Sequence, residues 1–323
     1  MKVLVTGAGG FLGSHVVERL RHDGHAVRAL VRAANAPREL AELGAEIRIG
    51  DVTDAASRTD ACRGCDAVVH AAGLVTEVAV SDAEYTRVNV EGSAALARAA
   101  AAAGVRRFLH VGSTSVYRPN LGRPIDEATP FEPGDVYGQS KAEAERRLVA
   151  IAASTRLDLV VIRPSRIYGP RDGSLVRVFR AIERQRFWRV GPCDAEVDFV
   201  YVTDVAAALA AALERGSGAY LVGGPERVRI GDFFMEVAAA LDRRMRALRI
   251  PLAPAMLAAR FVAAVWTAAG REPPIAPKRF AFFRNSRVVA SGRAAADLGY
   301  RPAVAVREGV RSTADWYRGA GWL

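Results

Sequence analysis

Tyr137 and Lys141 stand four residues apart, and the Ala-Glu-Ala-Glu run that follows (Ala142–Glu145) favours helix. On a helix, residues four apart share a face, one turn above the other. A lysine ammonium beside a phenol favours the phenolate and draws its pKa down from about 10. Such a tyrosine can give a proton to a carbonyl oxygen, or take one from a carbinol, while hydride moves. The spacing carries weight because Lys2, Lys141 and Lys278 are the only lysines in 323 residues. A surface pair is the weaker reading. The substrate oxygen needs a further hydrogen-bond donor, and the run Phe108-Leu-His-Val-Gly-Ser-Thr-Ser-Val-Tyr117 supplies a strand ending in hydroxyls. Ser113 is the first candidate there, ahead of Thr114 and Ser115.

A second constellation lies at the start of the chain. Lys2–Thr6 reads as a strand and Leu12–His22 as a helix, joined by Gly7-Ala8-Gly9-Gly10-Phe11-Leu12-Gly13. Glycines there allow a tight turn and close approach to a pyrophosphate, and the helix start offers free N–H groups and a positive dipole end. The outer glycines follow G-x-x-G-x-x-G rather than G-x-G-x-x-G, but the strand–turn–helix context is the one the mechanism requires. Gly7, Gly10, Phe11, Leu12 and Gly13 are therefore expected to hold a nicotinamide dinucleotide. The next strand ends Val27-Arg-Ala-Leu-Val-Arg32, with no acid to take ribose hydroxyls. Arg32 suits a 2′-phosphate instead, so NADP(H) is favoured and NAD(H) stays open.

Both constellations need a scaffold. Val3–Val5, Ala26–Val31, Ile47–Ile49, Ala67–His70, Phe108–Val111 and Leu159–Ile162 are continuous apolar runs, as in strands buried on both faces. Helical patterns separate them: Leu12–His22, Arg38–Leu43, Asp82–Ala103 and Gln139–Ala153. Strand–helix alternation without hairpin signals predicts an α/β, Rossmann-type doubly wound parallel sheet. After Pro164 the Pro and Gly punctuation becomes denser. The expected division is a dinucleotide-binding domain, 1–165, to which 199–215 returns, and a smaller interleaved substrate lobe, 166–323. Ala255–Gly270 is apolar on nearly every side except Arg260 and shorter than the roughly 20 residues of a membrane span. A helix packed inside the lobe is the simpler reading; a lid over an apolar substrate and a membrane-touching surface are the alternatives.

Composition narrows the function classes. Half the residues are hydrophobic and mean hydropathy is near zero, as in an ordinary globule. The formal charge of +10 is carried by arginines scattered along the chain, with one dense stretch, Arg177–Arg189, interleaved with apolar residues. No basic tail or zinc-finger spacing accompanies it, which argues against nucleic acid. Cys62, Cys65 and Cys193 are too few for a disulfide framework, and nothing completes a zinc site around Cys62 and Cys65. No metal site is expected. A strand in place of a signal peptide points to the cytoplasm. His70 reads as a packing residue, Asp204 as a helix N-cap, and Asp126, Glu127 and Glu132 as solvated loop carboxylates.

Taken in order, the motifs resemble the extended short-chain dehydrogenases/reductases of the NAD-dependent epimerase/dehydratase superfamily. They are Thr6-GAGGFLG, Gly50-Asp-Val52, Val69-His-Ala-Ala-Gly73, Asn89-Val-x-Gly92, the Gly112–Tyr117 segment, Tyr137-x-x-x-Lys141, Arg163-Pro-Ser-Arg-Ile-Tyr-Gly-Pro170, Tyr201-Val-Thr-Asp204, Gly223-Gly-Pro-Glu226 and Leu298-Gly-Tyr-Arg-Pro302. The resemblance implies that Ser113, Tyr137 and Lys141 are catalytic, with Lys141 and Tyr137 also near the nicotinamide ribose. It implies that Asp51 and Val52 contact adenine, that Ala71, Ala72 and Gly73 line the cofactor's path, that Pro164 lies near the nicotinamide, and that the chain forms a homodimer. Relatives acting on nucleotide sugars carry asparagine at the position of Arg166, and arginine at that of Val197 to grip the diphosphate. Losing that charge-assisted contact disfavours a nucleotide sugar. The C-terminal lobe, with its apolar helix, Gly270-Arg-Glu-Pro273 and Phe282-Phe283, is closer to the 3β-hydroxysteroid-dehydrogenase-like and dihydroflavonol-reductase-like branch. The expected substrate is a hydrophobic ketone or secondary alcohol, with a nucleotide-sugar epimerase or dehydratase using tightly bound NAD as the alternative.

Overall fold

The computed structural model describes residues 1–32, 38–75, 80–245, 249–268 and 285–323. The chain begins β1 (Lys2–Thr6), α1 (Phe11–His22), β2 (Ala26–Val31), α2 (Arg38–Glu42), β3 (Glu46–Ile49), α3 (Ala55–Cys62) and β4 (Ala67–His70). There follow α4 (Asp82–Tyr85), a π-helical segment Thr86–Gly92, α5 (Ser93–Ala102), β5 (Arg107–Val111), a 3-10 turn Thr114–Val116, α6 (Val136–Ser154) and β6 (Asp158–Pro164). The second half runs β7 (Arg166–Tyr168), α7 (Val176–Glu183), β8 (Arg189–Val190), β9 (Glu196–Val197), β10 (Phe199–Tyr201), α8 (Val202–Glu214) and β11 (Gly218–Val222). It ends with β12 (Val228–Arg229), α9 (Ile230–Ala240), β13 (Arg249–Ile250), α10 (Leu252–Ala268), α11 (Gly292–Leu298) and α12 (Val306–Gly319).

Seven strands form one sheet in the order β11-β6-β5-β4-β1-β2-β3, and every pairing in it is parallel. This is a Rossmann-type α/β fold. Parallel strands need crossover helices on both faces, which is why their sequences are apolar without alternation. On one face Val3, Val5, Val69, Leu109, Val160 and Ile162 pack under α1 and α8. On the other, Leu4, Leu30, Val68 and Phe108 pack under α3, α5 and α6. The strand order reverses between β1 and β4, so a crevice opens beyond their carboxyl ends, where open α/β sheets bind ligands. A separate aromatic core lies in the second half, where Phe199 and Phe233 stack with centroids 4.0 Å apart.

Several elements depart from the sequence reading. Of the returning segment 199–215, helix α8 does cover the main sheet, beside α1. Its strand β10 instead pairs with β7 in a two-stranded ladder, and β11 is the strand that joins the sheet, next to β6. Asp204 is not an N-cap, because α8 starts two residues earlier; its carboxylate accepts from the N–H groups of Ala303 and Val304. The helix expected over Asp82–Ala103 is interrupted by the π segment. Helix α10 is not packed inside the lobe, since Leu257 is 71% and Phe261 70% exposed. The Gly270–Pro273 and Phe282-Phe283 motifs lie outside the described residues. No helix among the described residues is long and apolar enough to cross a membrane.

Candidate active site

The residues singled out for the cofactor gather along the carboxyl edge of the sheet. Gly7 follows β1, Arg32 follows β2, Asp51 and Val52 follow β3, Ala71–Gly73 follow β4, and Pro164 ends β6. Two glycines make the cradle. A Cβ on Gly13 would lie 2.0 Å from the Gly7 carbonyl oxygen, and one on Gly7, whose φ is +68°, 2.7 Å from the Ala72 nitrogen. Turn, helix start and the β4 exit therefore touch backbone to backbone. The N-cap of α1 is Gly10, which offers no side-chain cap, and the first turn contains no acid. Its N–H groups and dipole end thus remain for an anion. These residues fit a dinucleotide pyrophosphate. Arg32 is exposed, Val52 is buried in the core under α3 and α5, and Asp51 Oδ1 accepts from the Thr53 amide and hydroxyl, both at 2.8 Å.

The proton-transfer candidates come together at the end of β5. Asp135 caps α6 by accepting from the Gly138 amide at 2.7 Å, which puts Tyr137 in the first turn and Lys141 in the next. Gly138 permits the contact: a Cβ there would sit 2.3 Å from the Ser115 carbonyl oxygen. The first turn of α6 consequently rests on the segment Ser113–Ser115. Lys141 reaches the same place, its Nζ donating to the Val111 carbonyl at 2.5 Å. Ser113 Oγ accepts from the Ser115 amide at 3.1 Å, so its own proton is left to donate. Lys141 is buried, and desolvation lowers its pKa to about 8, with Glu145 one turn on opposing the shift.

The supporting shell was less visible in sequence. Asn89, at the centre of the π segment, accepts from the Leu74 amide and donates to the Leu74 carbonyl and to Ser140 Oγ, at 2.7, 3.1 and 2.9 Å. Ser140 Oγ donates to the Tyr137 carbonyl at 2.7 Å. One amide side chain thereby ties the β4 exit to the turn carrying Tyr137. Tyr85 packs edge-on to Tyr137 with centroids 6.4 Å apart, its hydroxyl donating to the Val75 carbonyl. Asn89 belonged to a recognised motif; Tyr85 had no local signal.

His70 is fully engaged. Ser93 Oγ donates to the Asn89 carbonyl at 2.6 Å, so it accepts from His70 Nε2 at 2.8 Å. His70 Nδ1 then accepts from Thr6 Oγ1 at 2.7 Å, and Thr6 accepts from the Ala72 amide at 3.3 Å. Burial lowers the His70 pKa to about 3, so the ring stays neutral and is no base. Its neighbour His110, with ring centroids 5.4 Å apart, is fully buried and neither ring nitrogen has a hydrogen-bond partner. Burial, then the Lys141 charge, hold it well below the usual imidazole value. Val197, at the position of the missing arginine, packs in the aromatic core. Cys62, the last residue of α3, is buried against the sheet, which pushes its thiol up to about 12.

Comparison with known proteins fixes the family. The model of the NAD dependent epimerase/dehydratase family matches residues 3–223, more than half of the chain. The chain belongs to this family. As a member it is an NAD-dependent enzyme of the extended short-chain dehydrogenase/reductase type. Among family relatives, a 4-hydroxy-2-methyl-3-oxo-4-farnesyl-3,4-dihydroquinoline-1-oxide ketoreductase of Stigmatella aurantiaca is 30% identical over 96% of this chain and 95% of its own. A ceramide reductase of Caulobacter vibrioides is 29% identical over 99% and 96%. Among solved structures, a Thermus thermophilus UDP-glucose 4-epimerase in complex with NAD superposes with a TM-score of 0.81 at 28% identity, covering 99% of this chain and 100% of that one.

Proposed function

We propose that this enzyme interconverts a ketone and a secondary alcohol on a hydrophobic molecule, with NADP(H) preferred, Tyr137 as acid/base, and residues from 166 on holding the substrate. The observation that carries the reading is the seating of the first turn of α6, which carries Tyr137, on the Ser113–Ser115 segment, with Lys141 Nζ reaching Val111 at the end of β5. When bound, the dinucleotide supplies or accepts the hydride. Gly7, Gly10, Phe11, Leu12 and Gly13 would take its pyrophosphate, Arg32 its 2′-phosphate, Asp51 and Val52 its adenine, and Ala71, Ala72, Gly73 and Pro164 the path to the nicotinamide. Ser113 Oγ donates to the substrate oxygen and orients it. Tyr137 gives that oxygen its proton in the reducing direction and takes it back in the oxidising one. The Lys141 ammonium, held by Val111, stabilises the phenolate left behind and anchors the ribose.

The apolar substrate class is supported by buried Val197 in place of a phosphate-gripping arginine, and by the farnesyl quinoline and ceramide in the names of two relatives. Tyr137→Phe is expected to keep its melting temperature and NADPH binding while kcat falls about a hundred- to ten-thousand-fold. Wild-type turnover in that variant would overturn the assignment. Arg32→Ala should weaken NADPH and spare NADH, read by fluorescence titration; an unchanged preference removes the basis for NADP(H). The likeness to the NAD-bound UDP-glucose 4-epimerase favours a second reading, nucleotide-sugar epimerisation with retained NAD. Purified protein carrying NAD and turning over UDP-glucose without net redox change would select it.

A further inference from the structure

The segment 286–290 is laced into the molecule on both sides. Ser286 donates its amide to Asn120 Oδ1 at 2.7 Å, its carbonyl accepts from the Asn120 amide at 3.0 Å, and its Oγ accepts from the Glu196 amide at 3.0 Å. The Arg287 amide donates to the Glu196 carbonyl at 2.9 Å, in a parallel bridge that sets Arg287 beside Val197. The Val288 carbonyl then accepts from the Ile125 amide, and the Val289 amide donates to Asp198. Arg287 is thus presented by backbone held from the loop before α6 on one side and from β9 on the other.

Its head is not held. Arg287 Nε is out of solvent with no hydrogen-bond partner, and among the described residues no carboxylate pairs with the guanidinium. The acids of the surrounding elements are engaged elsewhere: Glu196 faces Arg227 at 3.8 Å, Asp198 takes the Val289 amide, and Glu127 takes the Leu221 amide. Burial disfavours the charge of Arg287, and among the described residues only Asp135 opposes that. Asp135 is the exposed cap of α6, its Oδ1 taken by the Gly138 amide, two residues before Tyr137. The guanidinium therefore lies within electrostatic reach of the turn that carries the proton donor, its fork unused. A buried arginine is costly until an anion meets it, and an anion with two oxygens meets it best.

We propose that Arg287 binds an anionic group, a carboxylate or a phosphate, carried by the substrate. Val197 and Val228 continue the row across the strands from Arg287, so the anion would be met beside hydrocarbon. The inference rests on the apolar substrate of the proposed function and adds that this molecule is amphipathic, with its charge at the end held by the lobe. A backbone fixed on both sides sets the arginine in place before the ligand arrives, which lowers the ordering cost of binding.

The test is calorimetric titration of the NADPH-loaded enzyme with octanoate, octyl phosphate and octan-1-ol, in the wild type and in Arg287→Met. At least one of the octyl anions is expected to bind wild type about tenfold or more tighter than octanol, and the tighter of the two tells carboxylate from phosphate. Arg287→Met should erase that preference while octanol and NADPH bind as before. Its melting temperature should equal or exceed that of wild type, since the head it removes is desolvated and unpaired. Arg287→Lys, which keeps the charge without the fork, should restore part of the preference. A wild type that binds neither anion better than octanol overturns the proposal, as does an Arg287→Met variant that keeps the preference. A lower melting temperature with octanol binding lost as well would make the arginine a support of the fold and overturn it too. UDP-glucose bound through Arg287 more tightly than either octyl anion would give the site to a nucleotide, with the same consequence. An anion preference in a chain that reduces no apolar ketone would leave the anion site standing and count against the proposed function alone.

Discussion

At the scale of single residues, the candidate site holds charge and polarity where apolar side chains would be more stable. Lys141 has a folded pKa of about 8 against an ordinary 10.5, because burial disfavours its ammonium. The folded chain therefore binds that proton less tightly than the unfolded chain. Its burial costs most below pH 8, and the cost fades as pH rises from about 8 to 10.5. Lys141→Met should raise stability by about 1–3 kcal/mol at pH 7 and by much less at pH 10, while abolishing turnover. Urea unfolding at the two pH values checks it; equal effects at both would mean the ammonium is not the cause. The two buried histidines make a matched pair. His110 has no partner to lose, so His110→Phe should leave stability unchanged or raise it by about 1 kcal/mol. His70→Phe strands the Thr6 and Ser93 hydroxyls and should cost about 2–3 kcal/mol. Denaturant melts that ranked them the other way would contradict the tautomer and the network assigned here.

At the scale of elements, α6 is fixed at both ends of its working stretch. Gly138 sets it on Ser115, and Glu145 pairs with Arg163 of β6, Nε to Oε2 at 3.0 Å. The same guanidinium also bonds Tyr117 and lies 4.8 Å from the Phe131 ring centroid. Removing one partner of a buried pair strands the other's charge, so Glu145→Gln should cost about 3–5 kcal/mol, read from the shift of the urea midpoint. The helix itself was legible in sequence, as were six strands of the sheet, because two-face burial writes continuous apolar runs. The proposed catalytic residues Tyr137, Lys141 and Ser113 stand out in the sequence because their types and spacing are local. Helix α3 was not legible: it is polar, and its sign was Asp54, whose carboxylate caps it by accepting from the Ser57 amide. The π segment leaves no periodic mark, since one extra residue per turn only shifts the phase of an alanine-rich pattern. The edge strand β11 was missed, and β10, equally apolar, was expected in the main sheet but finds its partner in the small β7 ladder. Which strand pairs with which is decided by long-range packing that no local run encodes.

At the scale of the whole molecule, one carboxylate couples the lobe to the sheet. Asp198, between β9 and β10, accepts from the Val289 amide at 2.6 Å, and Val289 bridges Ile125 in the loop before α6. A Cβ on Gly223, just past β11, would lie 3.3 Å from the Asp198 Cβ. Four segments distant in sequence therefore meet at this residue. Burial raises its pKa from 3.8 to about 6, against the pull of the Val289 amide and Arg227. A carboxyl raised in the folded state is protonated there before it is protonated in the unfolded chain. Its contribution to stability thus improves as pH falls from about 6 towards 4, and its cost is fully present above pH 6. Asp198→Asn keeps an oxygen for the Val289 amide and removes the charge. It should stabilise the chain by about 1–3 kcal/mol at pH 7.5 and by nothing measurable at pH 4. Because the residue sits at the junction, the gain should move the whole transition. Trp316 and Trp322, packed against the lobe's aromatic core, should report the same midpoint by fluorescence as the helices of the sheet domain report by circular dichroism. Two separated midpoints in the wild type, or a variant that shifts only one of them, would mean that the lobes unfold independently and that Asp198 does not join them.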